Sequence, residues 1–242
     1  MTDLHYEHPK LVSIYDLGNG WSNDRDFYLS LAGKDPKRVL DLGCGTGLLC
    51  NAYAEQGHLV TGVEPSASML AVARGSRFGD QIAWAQSSSQ EFRSEKRFDL
   101  IVMTGHAFQV LLDDGDISAT FSRVREHLAS DGLFAFETRN PVIDWAHEWD
   151  GMCRELKSPF GIVRETFKVR STQEDRIVFE TQYAFSDEAL VSFSELRFLS
   201  SDAIARRLEG SGLRVESLLG DWDGSAFDPE KSREMIFLAR LK

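Results

Sequence analysis

The chain has 242 residues, a formal net charge of -11 and 42 % hydrophobic residues, enough for one large domain, or a domain with an appendage, around a sizeable core. So acidic a balance argues against nucleic acid as the main partner, because phosphate binding wants a basic surface. No stretch approaches the roughly eighteen consecutive apolar residues of a membrane span, and three scattered cysteines (Cys44, Cys50, Cys153) suit a cytoplasmic setting rather than a disulfide framework or a metal knuckle.

Residues 1–35 read as a helical cap in two pieces. The first ends at Tyr15–Gly18; the second runs through 27–32, with Asn23 or Asp24 as its N-cap and Gly33 as its stop. The first ten residues have no apolar run, so no signal peptide is expected. His5 and His8 there are a chance pair, and no metal site is expected. Aromatic residues crowd the segment (Tyr6, Tyr15, Trp21, Phe27, Tyr28). Most are core candidates; Tyr15 and Trp21 are candidates for a flap over a bound ligand.

From position 38 onward strand and helix alternate. Apolar strands at 39–42, 58–64, 82–86, 98–104 and 133–138 are separated by helices at 48–56, 66–74 and 117–128, with Ser66 as an N-cap. This rhythm predicts a parallel sheet covered on both faces. Beyond Pro141 it changes. Residues 163–169, 177–185 and 193–199 alternate at period two and predict an antiparallel flap. A helix at 201–209 and strands at 213–218 and 235–241 close the chain. The expected domains are the cap, 1–35; a ligand-binding α/β domain, 36–150 with 201–242; and an inserted flap, 151–200.

The first strand runs into glycines at 43, 45 and 47, and Glu64 ends the second strand. Glycines in a turn let backbone approach a ligand where a Cβ would clash. An acidic residue about twenty positions on can hold both ribose hydroxyls. A nucleoside-containing cofactor follows. The spacing is G-x-G-x-G, with Leu48 where the dinucleotide fingerprint carries its third glycine. Asp41 opposes a pyrophosphate and favours a cation. S-adenosylmethionine offers a sulfonium and an ammonium without a pyrophosphate, so both arguments prefer it to a nicotinamide dinucleotide.

Val-Leu-Asp-Leu-Gly-Cys-Gly-Thr-Gly (39–47) resembles the first motif of class I S-adenosylmethionine-dependent methyltransferases. Thr-Gly-Val-Glu-Pro-Ser-Ala-Ser-Met-Leu (61–70) resembles their second segment, 98–102 their fourth-strand motif, and 128–136 the region leading into their fifth strand. The likeness is strong over roughly 36–140 and weaker in the closing strands. It implies a Rossmann-like, doubly wound, mostly parallel seven-stranded sheet with helices on both faces, carrying the flap and the cap as additions. It also implies Glu64 at the ribose, Pro65 beside the adenine, and backbone of the Thr104–Gly105 loop at the methionine portion. Where the family often has an Asp accepting from the adenine amino group, this chain has Ser88, followed by Ser89; a serine hydroxyl accepts without charge assistance.

The sulfonium is already activated, so the protein has to align the nucleophile and exclude water. A base is needed only if the acceptor holds its proton until attack. The D/N-P-P-F/Y run of amino-methyltransferases is absent after the fourth strand. His106 stands there, as a base, a cofactor-contacting loop residue or a structural one. After the fifth strand come Arg139, Trp145 and Trp149. The two tryptophans, four apart, share a helical face and either line an acceptor pocket with Arg139 or pack under the flap. Arg197 is a further pocket charge or a solvated strand residue. The expected function is methyl transfer to N, O or C of a small molecule, releasing S-adenosylhomocysteine, by a monomer or homodimer without nucleic-acid or membrane partners. A protein or peptide acceptor and a non-catalytic binding module are alternatives; a nicotinamide oxidoreductase is least favoured.

Overall fold

A computed structural model of the chain describes residues 3–242. It opens with α1 (Leu4–Glu7), α2 (Pro9–Val12), α3 (Tyr15–Gly18) and α4 (Asn23–Ala32). The α/β unit follows as β1 (Arg38–Leu42), α5 (Leu48–Glu55), β2 (Leu59–Val63), α6 (Ala67–Arg74), β3 (Ala83–Ala85), β4 (Phe98–Met103), α7 (Asp114–His127) and β5 (Leu128–Arg139). After α8 (Trp145–Trp149) come β6 (Cys153–Ser158), β7 (Gly161–Gln173), β8 (Arg176–Ala184) and β9 (Ala189–Arg197), and the chain closes with α9 (Ser201–Gly210), β10 (Leu213–Leu219) and β11 (Glu234–Leu241). No helix among the described residues is long and apolar enough to cross a membrane.

The main sheet has the order β10-β11-β5-β4-β1-β2-β3. β11 runs antiparallel to both neighbours and the other pairings are parallel. β1 and β2 bury four consecutive residues each, as strands covered on both faces must. The order reverses at β1, which pairs β2 on one side and β4 on the other. A crevice at the carboxyl ends of β1 and β4 is therefore the expected ligand position.

Each face of the sheet has its own core. On one, Phe108, Phe121, Phe134, Phe136 and Phe237 interlock with neighbouring ring centroids 4.9 to 6.2 Å apart. The other holds Tyr28 and Ala32 of α4 against Tyr53, Cys50 and Val39. α4 thus belongs to the α/β core, and the cap proper is α1–α3. Leu11 and Ile14 pack against Leu156, Val163, Tyr183 and Phe185 of the second sheet, ordered β6-β7-β8-β9. Cap and flap are one layer built from two distant stretches of chain.

Two details differ from the sequence reading. Before α4 there are three four-residue helices where one piece was expected, because single turns are too short to show periodicity. The flap has a fourth strand, β6, whose Cys-Arg-Glu-Leu-Lys-Ser carries no β-branched residue to mark it.

Candidate functional site

The turn after β1 is built on positive φ at Gly43, Gly45 and Gly47. The three glycines answer different demands. A Cβ on Gly45 would meet nothing within 4 Å, so this stretch of backbone faces open space. On Gly43 it would come to 3.1 Å from the Ala107 Cβ, and on Gly47 to 2.6 Å from the Trp84 ring. Gly47 is glycine because Trp84 and α6 pack on it, not because a ligand approaches, which corrects the uniform reading of the motif.

Glu64 is 7 % exposed and turns back on the turn. Its carboxylate accepts from the Gly45 N–H at 3.0 Å and from the Ser66 N–H at 3.0 Å. Burial still raises its pKa. Pro65 beside it is exposed. Ser66 caps α6, accepting from the Met69 N–H at 3.1 Å, and its hydroxyl donates to the Tyr6 carbonyl at 2.6 Å. Thr46 donates to Asp16 at 2.7 Å and Ser68 to the Glu7 carbonyl at 2.7 Å. Three hydroxyls therefore bind the cap down on the glycine turn and α6.

Two cap phenols face this corner. Burial pushes Tyr15 up to about 12, and the charges of Glu64 and Asp16 add to the rise. Tyr6 is pushed well above the phenol range by the same cause, with the charge of Glu64 adding to the rise and that of Arg139 opposing it. Tyr15 thus lies within reach of the Glu64 charge, and so does Tyr6, which the sequence reading counted only as packing. Trp21 is instead 44 % exposed and donates to Asp26 at 2.8 Å.

Asp41 is 1 % exposed. One carboxylate oxygen accepts from the Cys50 thiol at 3.3 Å and the other has no partner among the described residues. Burial lifts its pKa to about 7 and Glu64 adds to the rise, against the Cys50 hydrogen bond. A buried carboxylate in this state is stabilised by any cation placed beside it.

Ser88 donates to Glu91 at 3.1 Å in its own turn. Ser89 is buried against Thr120 of α7 at 2.9 Å. Ser89 is a core contact, and its candidacy as a cofactor ligand falls away.

A second group of candidates starts at the end of β4. Gly105 and His106 both have positive φ, 67° and 60°, a conformation that costs a non-glycine residue about 1 kcal/mol. Glu137 of β5 secures it: one oxygen accepts from the His106 N–H at 2.7 Å and the other from the Tyr28 hydroxyl. Glu137 is 1 % exposed, and burial raises its pKa. The Thr104 carbonyl closes the turn from Ala107 at 3.3 Å. The His106 ring pairs through Nε2 with Glu234, the first residue of β11, at 2.9 Å. A carboxylate fixing one ring nitrogen leaves the other as the acceptor, the arrangement of an oriented base.

Arg139 lies next to this pair, opposite Glu234 in the β5–β11 register. Its guanidinium sits 5.6 and 5.0 Å from the Trp145 and Trp149 rings and donates to Gln109 at 2.8 Å. Trp145 is anchored by its indole N–H to the Asn140 carbonyl at 2.8 Å. Trp149 packs on Phe179 and Phe198 under the flap. The indoles fill space under the flap and lie against Arg139. Arg197 is engaged in ion pairs of its own. It is tied to Asp175 and Asp114, each at 2.7 Å, and so fastens β9 to the start of α7.

Glu137, Glu234, Gln109 and Tyr6 were missed as site residues. Only Glu137 left a local trace, as an acid closing the apolar run Leu-Phe-Ala-Phe of β5.

The sequence matches the family described as "Methyltransferase domain" over residues 21–218. It is 33 % identical over 105 residues to a ubiquinone biosynthesis O-methyltransferase of Bradyrhizobium sp. (strain ORS 278), covering 43 % of this chain and 40 % of that protein. Over 213 residues it is 25 % identical to the cypemycin N-terminal methyltransferase of Streptomyces sp., covering 84 % and 82 %. The chain aligns with less than half the length of the first curated relatives it matches. In fold it is similar to an S-adenosylmethionine-dependent methyltransferase from Clostridium acetobutylicum ATCC 824, with a TM-score of 0.79 at 18 % identity over 96 % of this chain and 98 % of the other.

Proposed function

Since the chain belongs to the methyltransferase-domain family, we propose that it is an enzyme moving the methyl group of S-adenosylmethionine to a nitrogen, oxygen or carbon of a small molecule. The observation that carries this reading is the corner where open backbone at Gly45 meets the Glu64 carboxylate under Tyr6 and Tyr15. The corner fits the cofactor chemically: Gly45 leaves room for a ligand, Glu64 supplies a ribose acceptor, and the unpartnered oxygen of Asp41 favours a cation. When bound, the cofactor supplies a methyl group on an already electrophilic sulfonium.

The chain's own residues then have three tasks. The Gly43–Gly47 turn, Glu64 and the Gly105 loop hold and orient the donor. Tyr6, Tyr15 and the hydroxyls that lace the cap down keep water out. His106, oriented by Glu234, takes the proton from an acceptor that still carries one. Three free cysteines suit work in the cytoplasm.

The test is thermal unfolding with ligand. S-adenosylhomocysteine should raise the melting temperature by mass action while NAD leaves it unchanged; the reverse result would overturn the reading. A second reading, transfer to a peptide amino terminus, is supported by the likeness to the cypemycin N-terminal methyltransferase over most of both chains. The fused cap and flap over the crevice favour a smaller acceptor.

A further inference from the structure

Arg139 has five N–H donors, and among the described residues only Gln109 takes one. The nearby carboxylates are engaged elsewhere: Glu137 with the Tyr28 hydroxyl and the His106 N–H, Glu234 with the His106 ring. They offset the Arg139 charge at range, but no carboxylate among the described residues reaches ion-pair distance of its guanidinium. The side chain is nonetheless held in place. The indoles of Trp145 and Trp149 lie beside it. Gln109 is fully buried and is itself fixed by donating to the Arg197 carbonyl at 3.2 Å. Arg139 is itself partly exposed.

We propose that Arg139 is the receptor for a planar carboxylate on the methyl acceptor, so that the site selects anionic small molecules and presents their nucleophilic atom toward His106. The proposal rests on the donor-site reading above and names the acceptor class for it. A guanidinium fork matches a carboxylate through two parallel charge-assisted hydrogen bonds. Two glutamates nearby disfavour a doubly charged phosphate and leave a monoanion as the better fit. The position separates this carboxylate from the cofactor's own. Arg139 lies opposite Glu234 in the β5–β11 register. Its strand, β5, is also separated from β1 by β4. Gln109 is a positioning residue for the guanidinium.

The experiment is calorimetric titration of the S-adenosylhomocysteine-saturated protein with benzoate and with the neutral benzamide, in wild type, Arg139→Gln and Arg139→Lys. Benzoate should bind at least about tenfold more tightly than benzamide to wild type. That preference should vanish in Arg139→Gln and be partly kept in Arg139→Lys, while affinity for S-adenosylhomocysteine stays within about twofold in both. Equal binding of the two probes, or no benzoate binding to wild type at millimolar concentration, overturns the proposal. So does benzoate competing with S-adenosylhomocysteine together with its loss in Arg139→Gln, which would give Arg139 to the cofactor's carboxylate. If wild type fails to bind S-adenosylhomocysteine, the donor-site reading falls, and the titration on ligand-free protein still decides the role of Arg139.

Discussion

The proposed donor corner and the proposed acceptor corner are made in opposite ways. Around the glycine turn, backbone does most of the work: Gly45 and Ser66 N–H groups meet one carboxylate, and the partners lie 2 and 19 residues from Glu64. Around His106, side chains do it, and they come from far apart. Glu137 is 31 residues away and Glu234 is 128. A corner built from backbone and short spacings is rigid by local geometry. One built from side chains on three strands depends on the whole sheet being in register.

If that contrast is right, Glu137→Ala has the largest effect, on stability. It strands the buried Tyr28 hydroxyl and the His106 N–H, at about 3 kcal/mol in total, or roughly 6–12 °C in melting temperature for a chain of this size. A fall of under a degree or two would mean that the acceptor corner is held by packing alone. Next comes Glu64→Ala, predicted to weaken S-adenosylhomocysteine binding by roughly 1–3 kcal/mol, the loss of charge-assisted hydrogen bonds, with a smaller change in folding. Unchanged affinity in calorimetry would place the ribose elsewhere.

A third prediction concerns pH. Burial raises the Asp41 pKa from the usual carboxylate value to about 7 in the folded chain. The group therefore favours folding fully at pH below its unfolded pKa, and this contribution is lost as pH rises through about 7. A bound cation favours the ionised form, so cofactor affinity should rise by up to about tenfold between pH 6 and pH 8 and then level off. Asp41→Asn should flatten that profile. A wild-type affinity independent of pH would show that no cation sits near Asp41. Ser66→Ala should have the smallest effect, about 1 kcal/mol from loss of the α6 cap, read as a shift in the denaturant midpoint. A loss above about 3 kcal/mol would mean that the Ser66–Tyr6 contact holds much more of the cap than one hydrogen bond.

The same contrast explains what could be read from the sequence. The order of strands and helices from β1 to β5 was legible because apolar runs and glycine stops are local signals. Gly45 and Glu64 were legible for the same reason. The pairing of His106 with Glu234 was not, since it exists only once β11 lies antiparallel beside β5. Ser89 and Arg197 carry the right chemistry for a pocket but face Thr120 and two aspartates. Residue type alone gives no direction. Trp21 failed similarly, because its neighbours leave it at the surface.

The shared layer of α1–α3 and the second sheet sets an order of events during synthesis. Leu11 and Ile14 are made early, but their apolar partners Val163, Tyr183 and Phe185 emerge much later. The hydroxyls of Ser192 and Ser194, which hold Asp3, come later still. At ~5–20 residues per second Asp3, Leu11 and Ile14 wait roughly eight to forty seconds for these contacts. The glycine turn and the strands beside it can assemble in that interval. The roof over the crevice can therefore close only after the strands from β1 to β5 have been made, and β11 completes the main sheet after the roof strands have emerged.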